Sequence, residues 1–390
     1  MSRHLVLAGG GHAHVLVLEH LAQHPLHDTQ VTLISPSGWQ TYSGMLPGLM
    51  TGQYTPEACR IDLRPLARRA RVRFIEARVS GLTSSPTEVH LSDGSALSYD
   101  LLSLDVGSEV DDRALQRLGP RLWPLKPLDV FHERWQTLLQ SPPEAVPRRL
   151  AVVGGGAAGV EAVLAASAAW RQWGRTLSCV LVTGPRGVLP DHSPAVRARV
   201  QKALSTHRIE CLPHRAVGTP DGLLLDDGRH HPADLVLAAA GARAPSWLRD
   251  TPLALDARGF VAVNAQHQST SHPNVFAVGD VCSRVDQTVA RSGVHAVRAG
   301  PVLAHNLGAW LSGQPLHAYH PRRWSLYLLS TGSRQAVLSW GPFSAAGTWV
   351  WRLKDHIDRG FMARFGSPSV SPSPPSPPSA PPSAASGPHA

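Results

Sequence analysis

Two short runs carry the residue types that hold a diphosphate. Gly9-Gly10-Gly11-His12-Ala13-His14 and Gly154-Gly155-Gly156-Ala157-Ala158-Gly159 each follow an apolar run of strand length and open an Ala/Val/Leu-rich stretch of helical period. A diphosphate needs unpaired N–H groups at the positive end of a helix, and glycine lets the backbone come close enough to offer them. Gly154, Gly156 and Gly159 complete the G-x-G-x-x-G pattern. In the first run Gly9 and Gly11 fit, but His14 stands at the third position, so the strand–helix contact there must differ. One such pattern is weak evidence. Two in one chain, each followed roughly 20 residues on by a short β-rich run (Val31–Ile34 and Cys179–Val182), indicate two dinucleotide domains.

The second strand of such a unit ordinarily ends in a carboxylate for the ribose hydroxyls. Ser35 and Thr183 take those two places. Thr183-Gly184-Pro185-Arg186 also offers a cation in place of a charge that would repel a 2′-phosphate, which tilts the expected donor slightly towards NADPH without excluding NADH. Thr270–Asp280 reads as a strand ending in Gly279-Asp280 at the start of a helix. There a carboxylate meets a ribityl hydroxyl, and the positive helix end faces the pyrimidine oxygens of a flavin and stabilises its reduced, anionic form. Cys59, Cys179, Cys211 and Cys282 have no CxxC or CxxxxC spacing, which excludes a sequence-local redox disulfide and a zinc knuckle. Among 21 histidines there is no HExxH or comparable ligand spacing, so no metal is expected, at His12 and His14 included.

The elements that must position these residues form a repeated order. Strands are expected at Arg73–Val79, Glu88–Leu91 and Tyr99–Val106 in the first half, the last ending at Gly107-Ser108. Gly222–Leu225 and Asp234–Ala239 match them in the second half, and Gly259–Val263 follows. The fold expected is α/β, with two Rossmann-like dinucleotide-binding domains, for FAD and NAD(P), and a C-terminal α/β extension. The divisions are 1–112 and 259–315 for FAD, 113–258 for NAD(P)H, 316–366 as an acceptor-side segment, and 367–390 as a disordered Ser/Pro/Ala tail. With 390 residues, 43% hydrophobic and 17% charged, the chain has room for these cores. The formal charge of +9 comes from scattered arginines rather than a lysine-rich run, and no nucleic-acid partner is expected. No uninterrupted apolar stretch of roughly 18 residues is present. The three glycines in the N-terminal apolar run argue against a signal peptide, and the cysteine usage suits the cytoplasm.

These segments resemble the FAD-dependent pyridine nucleotide-disulfide oxidoreductase superfamily over nearly the whole chain to about Phe365. Within it they are similar to the type II NADH dehydrogenase-like branch, and to the oxidoreductases sometimes fused to selenide, water dikinase. The resemblance rests on GGGHAHVLVL, YSGMLPGLMTGQY (Tyr42–Tyr54), LDVGS, GGGAAGVE, STSHPNVFAVGD, VHAVRAGPVLAHNL (Val294–Leu307) and two C-terminal segments, LYLLSTGSRQAVLSWG and WRLKDHIDRGFMARF. It implies a glutathione-reductase-like fold with FAD on Gly9–Gly11, Ser35 near its adenosine ribose, Val79 beside the adenine, Gly107 near the diphosphate and Asp280 on the ribityl chain. His295 falls in a shared segment near the flavin, and Leu46, Pro47 and Gly48 would wall the isoalloxazine. NAD(P)H would lie on Gly154–Gly159, with Glu161 orienting the nicotinamide or handling a proton. The sequence departs from the family in lacking its cysteine pair. Asp105 stands where many members have a small residue, and Lys126 is placed to meet a carboxylate near the flavin.

The function that follows is oxidation of NAD(P)H through FAD, with electrons passed to a quinone-like acceptor, since a quinone requires no dithiol. An accessory flavoprotein of selenium metabolism and a reductase of a small protein carrier are the alternatives. A homodimer is compatible with all of them. Trp349–Phe365 places Trp349, Val350, Leu353, Ile357 and Phe361 on one helical stripe with basic flanks, and Lys354 near enough to snorkel. That pattern suits either a helix packed on the FAD domain or on a second subunit, or a peripheral membrane contact at the cytoplasmic face, and the short length and mixed charge of the segment weigh towards packing.

Overall fold

Leu5, Val6, Leu7 and Ala8 are buried without interruption, as a strand covered on both faces of a parallel sheet must be. Arg3–Ala8 sits at the centre of such a sheet. Its order is Arg73–Glu76, Thr29–Ser35, Arg3–Ala8, Leu101–Leu104, Val275–Ala277, all parallel. The structure, a computed structural model, describes residues 2–366 except 86, 143, 144 and 176; the Ser/Pro/Ala segment 367–390 lies outside the described residues. Helices His12–Gln23 and Gly293–Ser312 pack together beside this sheet. Gly300 permits the approach, since a Cβ there would fall 2.7 Å from Leu16 Cδ1. A three-stranded antiparallel meander, Val79–Ser84, Thr87–Leu91 and Ala96–Ser98, shares a core with the sheet and Phe260.

The second sheet repeats the plan in the order Leu122–Pro124, Leu235–Ala238, Arg149–Val153, Ser178–Val182, Glu210–Leu212, again all parallel. Helix Ala157–Gln172 follows its glycine turn and is buried from Val160 to Trp170 except at the part-exposed Glu161. Leu326–Ser330, Ala336–Trp340 and Phe343–Gly347 then form an antiparallel sheet, and helix Thr348–Ala363 packs on it. The architecture is the expected α/β one with two Rossmann-like cores. In both sheets the strand order reverses at the glycine-turn strand, which opens a crevice at the carboxyl ends of the strands.

Two expectations are corrected. Arg73–Val79 is not one strand. Ala77 donates its N–H to Ser35 O at 3.0 Å, which closes the pairing with the first sheet, and Val79 opens the meander against Leu91. Nor does a helix begin at Asp280. Gly279–Val281 is a single 3₁₀ turn, and Cys282–Arg284 pairs in parallel with Val261–Val263, which draws the chain back into extended structure. The next long helix starts only at Gly293.

Candidate functional site

A cleft of about 540 Å³ runs along the carboxyl ends of the first sheet. Gly9, Gly10, Gly11, His12, Ser35, Val79, Gly107 and Asp280 all line it, so eight expected residues from five stretches of chain meet there. Gly9 is required by its backbone: φ is 98°, and a Cβ would fall 2.4 Å from Asp105 O. Ser108, Lys126 and Trp247 complete parts of the wall. The helix end absent at Asp280 is supplied instead by Gly293 and Ala296 of helix Gly293–Ser312, which also line the cleft.

The polar groups of the cleft are arranged around Asp280. Lys126 Nζ donates to Asp280 Oδ2 at 2.7 Å and to Ser108 Oγ at 3.1 Å. Burial pushes the His12 imidazole down to about 4, against the pull of Asp280, so the ring is neutral near pH 7. His12 Nε2 and Ser292 Oγ are buried with no hydrogen-bond partner. Buried polar atoms are costly to leave unpaired. A cofactor rich in hydroxyl and phosphate oxygens fits this cleft, whose wall offers glycine backbone, a carboxylate–ammonium pair and the unpartnered ring nitrogen of His12.

Gly279 does not itself line the cleft, although Asp280 beside it does, and three more expected residues lie elsewhere. His14 is buried, with Nδ1 at 2.6 Å from Gly9 O and Nε2 at 2.8 Å from Ser103 Oγ. In the second loop a Cβ on Gly159 would fall 1.9 Å from Gly154 O, so there the helix touches the turn directly. In the first loop the imidazole spans the equivalent interval. Pro47, with Leu46 and Gly48, is buried in the short helix Leu46–Met50, which packs on Ala157–Gln172, and does not wall the cleft; Thr41 and Ser43 do. Pro at the start of that helix loses no hydrogen bond, and its apolar neighbours are drawn into the core. His295 points its Nδ1 at Tyr319 Oη, 3.2 Å away.

The second glycine loop has Gly154 at φ 138° and a Gly154 N–H bond to Val182 O at 2.8 Å. Gly155 and Gly156 complete its turn, and Gly156 is the cap residue of helix Ala157–Gln172. The Thr183 hydroxyl donates to Gly184 O and Leu212 O, and Arg186 pairs with Asp191 at 2.5 Å on the exposed surface. Glu161 accepts the Ser330 N–H at 2.7 Å. Burial pushes its carboxyl up to about 7, against the nearby Lys354 ammonium.

Lys354 and Asp358 were not foreseen as inward-facing. Both are buried, paired at 2.6 Å, and Lys354 also donates to Gly44 O. Tyr42 donates to Asp358 at 3.3 Å, and Tyr54 to Asp355 at 2.7 Å. The Tyr42, His12 and Phe361 rings form a triangle, with centroids 5.5 Å apart for Tyr42–His12, 4.8 Å for Tyr42–Phe361 and 6.5 Å for His12–Phe361. The C-terminal helix is thus fastened by polar contacts to the Tyr42–Tyr54 segment. The single apolar stripe expected on it is split: Val350 is buried and Phe361 partly so, while Trp349 is 56% and Ile357 41% exposed. Lys354 does not snorkel, because Asp358 one turn away holds it inside. The i, i+4 spacing of Lys354 and Asp358 was the available signal. All four cysteines are unpaired, and no group of three or more metal-ligating side chains is assembled among the described residues.

Two parallel sheets, each with a glycine turn at its switch point, define an oxidoreductase built on two dinucleotide domains. The chain belongs to the pyridine nucleotide-disulphide oxidoreductase family, which it matches over residues 3–300. It is 30% identical to NADH dehydrogenase-like protein Rv1812c of Mycobacterium tuberculosis over 73% of this chain and 74% of the relative. It is 22% identical to NADH dehydrogenase-like protein YutJ of Bacillus subtilis, over 72% and 76%. Among solved structures, NDH2 of Plasmodium falciparum in complex with NADH aligns with TM-score 0.77 at 13% identity, covering 95% of this chain and all of that one. The sulfide:quinone oxidoreductase of Aquifex aeolicus aligns at 0.75 and 18%, covering 93% and 91%. These two likenesses are of fold. The chain is a flavin-dependent, NADH dehydrogenase-like oxidoreductase, and FAD and NAD(P)H are the cofactor pair of its family.

Proposed function

We propose that this chain is a non-electrogenic NAD(P)H:quinone oxidoreductase, with residues 1–112 and 259–315 holding FAD and 113–258 holding NAD(P)H. The observation that carries this reading is the meeting of the first glycine turn, Lys126 and Asp280 in one cleft, with a second, open glycine turn in the same chain. FAD, when bound, supplies the chemistry: it takes a hydride from nicotinamide and hands electrons on. The protein orients the two cofactors and sets their electrostatic surroundings. Asp280 binds ribityl hydroxyls, and Lys126 holds it in place. Gly9–Gly11 and Gly154–Gly159 receive the diphosphates.

Glu161 orients the nicotinamide or holds a proton. Its carboxyl lies close enough to the Lys354–Asp358 pair to be shifted by both charges. The absence of a paired cysteine among the four supports a quinone over a disulfide as acceptor. The same reading gives the exposed Trp349 and Ile357, and Trp340 and Phe343 on the adjoining sheet, a lipid-facing role. No described helix is long and apolar enough to cross a membrane. Steady-state NADH and NADPH oxidation with a short-chain ubiquinone and a menaquinone analogue tests the acceptor. Quinone-dependent turnover is expected. Turnover only with a ferredoxin, and none with either quinone, contradicts the assignment.

A further inference from the structure

Asp105 and Ala239 hold equivalent places in the two halves. Ala8 pairs with Leu104 and Val153 with Ala238, so Gly9 abuts Asp105 as Gly154 abuts Ala239. A Cβ on Gly9 would fall 2.4 Å from Asp105 O, and one on Gly154 2.3 Å from Ala239 O. Where the second loop meets a methyl, the first meets a buried carboxyl that lines the cleft. Asp105 Oδ2 accepts the N–H groups of Ala13 and His14 at 2.9 and 3.0 Å. These are the second and third residues of helix His12–Gln23, the donors that a side-chain cap uses. Gly11 at the cap position gives no such bond, and a Cβ there would fall within 2.4 Å of the Asp105 carboxyl atoms. An acid therefore occupies part of the helix end on which the diphosphate rests. A second negative charge there opposes the first.

We propose that Asp105 is the proton-bearing partner of the diphosphate, so that binding of FAD draws one proton from solvent onto its carboxyl. The inference rests on the assignment of FAD to this cleft. Burial already pushes the carboxyl up to about 7 without the diphosphate, with Asp280 adding to the rise and the two N–H bonds opposing it. The histidines and the thiol facing it titrate away from this point. His12 and His14 on the helix are pushed down to about 4, and Cys282 up to about 12. Asp280 is held by Lys126, and Arg284 and Arg291 stand beyond Cys282 as fixed cations. The diphosphate raises the Asp105 pKa further. Binding therefore takes up a proton, and it weakens as pH rises above about 7, by at most about tenfold per pH unit.

The test is calorimetric titration of FAD-stripped protein with FAD at pH 7.5 in phosphate and in Tris, which differ in ionisation enthalpy. Alongside it, FAD release from diluted holoprotein is read by FAD fluorescence at pH 6.5, 7.5 and 8.5. Wild type is expected to take up more than about half a proton per FAD, with a dissociation constant roughly tenfold weaker at pH 8.5 than at 7.5. Asp105→Asn, and Asp105→Ala, which copies the second loop, are expected to bind FAD with neither effect; Glu161, which titrates in the same range, is unchanged in both. Equal binding heats in the two buffers for wild type, or wild-type proton uptake in the variants, overturns the inference. The buffer comparison needs no variant, so a misfolded substitution does not shelter the proposal. Failure of wild type to bind FAD at all overturns the cofactor assignment, and this inference with it.

Discussion

Asp280 and Lys126 meet at 2.7 Å in the cleft wall, and this pair bears on the first prediction. On the proposed assignment, Asp280→Ala removes a charge-assisted bond to the ribityl chain, worth roughly 1.5–3 kcal/mol, and leaves Lys126 without its carboxylate. FAD affinity is expected to fall about 10- to 100-fold, read from the flavin-to-protein absorbance ratio of the purified variant; full occupancy would remove Asp280 from the site. Glu161→Gln is expected to retain FAD and slow flavin reduction by NAD(P)H in stopped flow, because the residue lies on the helix that follows the second glycine turn. The raised carboxyl pKa of Glu161, about 7 against an ordinary 4.5, also fixes a stability profile. The folded protein disfavours the ionised form, so the penalty is absent below about pH 4.5, grows as pH rises, and is complete above about 7. Glu161→Gln should therefore raise Tm at pH 8 and change it little at pH 5; the reverse order would refute the burial argument. The glycine turns were legible in the sequence because a backbone requirement restricts the residue type, and Asp280 drew notice only by following Gly279 at the end of a strand. Asp105 was not, since an aspartate that caps a helix 90 positions away looks like any other.

At the scale of elements, the central strands of both sheets were legible from their unbroken apolar runs, whereas the three-residue edge strands Leu122–Pro124 and Glu210–Leu212 of the second sheet were too short to show. The C-terminal helix was legible only in part. Its period showed a helix but not which side faces inward, because the inward face carries Lys354 and Asp358, charged residues that ordinarily mark a solvated surface. Breaking one member of a buried ion pair leaves the other uncompensated and costs about 3–5 kcal/mol. Lys354→Met alone is thus expected to lower urea-unfolding stability by that amount, whereas Lys354→Met with Asp358→Leu should recover most of it. A double variant no more stable than the single would show that the loss does not come from leaving Asp358 unpaired. The helix's outward face carries the membrane prediction. Trp349→Glu with Ile357→Glu leaves the buried face intact and should abolish co-sedimentation with anionic liposomes at low salt. If the wild type stays in the supernatant, the face has no lipid role.

The whole molecule is one plan used twice with different fillings. The first half closes its loop with His14 and Asp105, and the second leaves Gly159 and Ala239 in those places. The shared plan explains why the fold was evident from two glycine runs. The different fillings explain why the exact contacts were not: they are made between strands and loops distant in sequence. In the proposed function electrons pass from NAD(P)H to a single flavin with no dithiol between. Anaerobic titration of the holoprotein with NADH, and separately with NADPH, followed by flavin absorbance, tests it most directly. The predicted result is complete bleaching by at least one donor at one equivalent per FAD, with no further uptake. A flavin that stays oxidised with both donors, or one that consumes a second equivalent as a flavin–disulfide pair would, contradicts it.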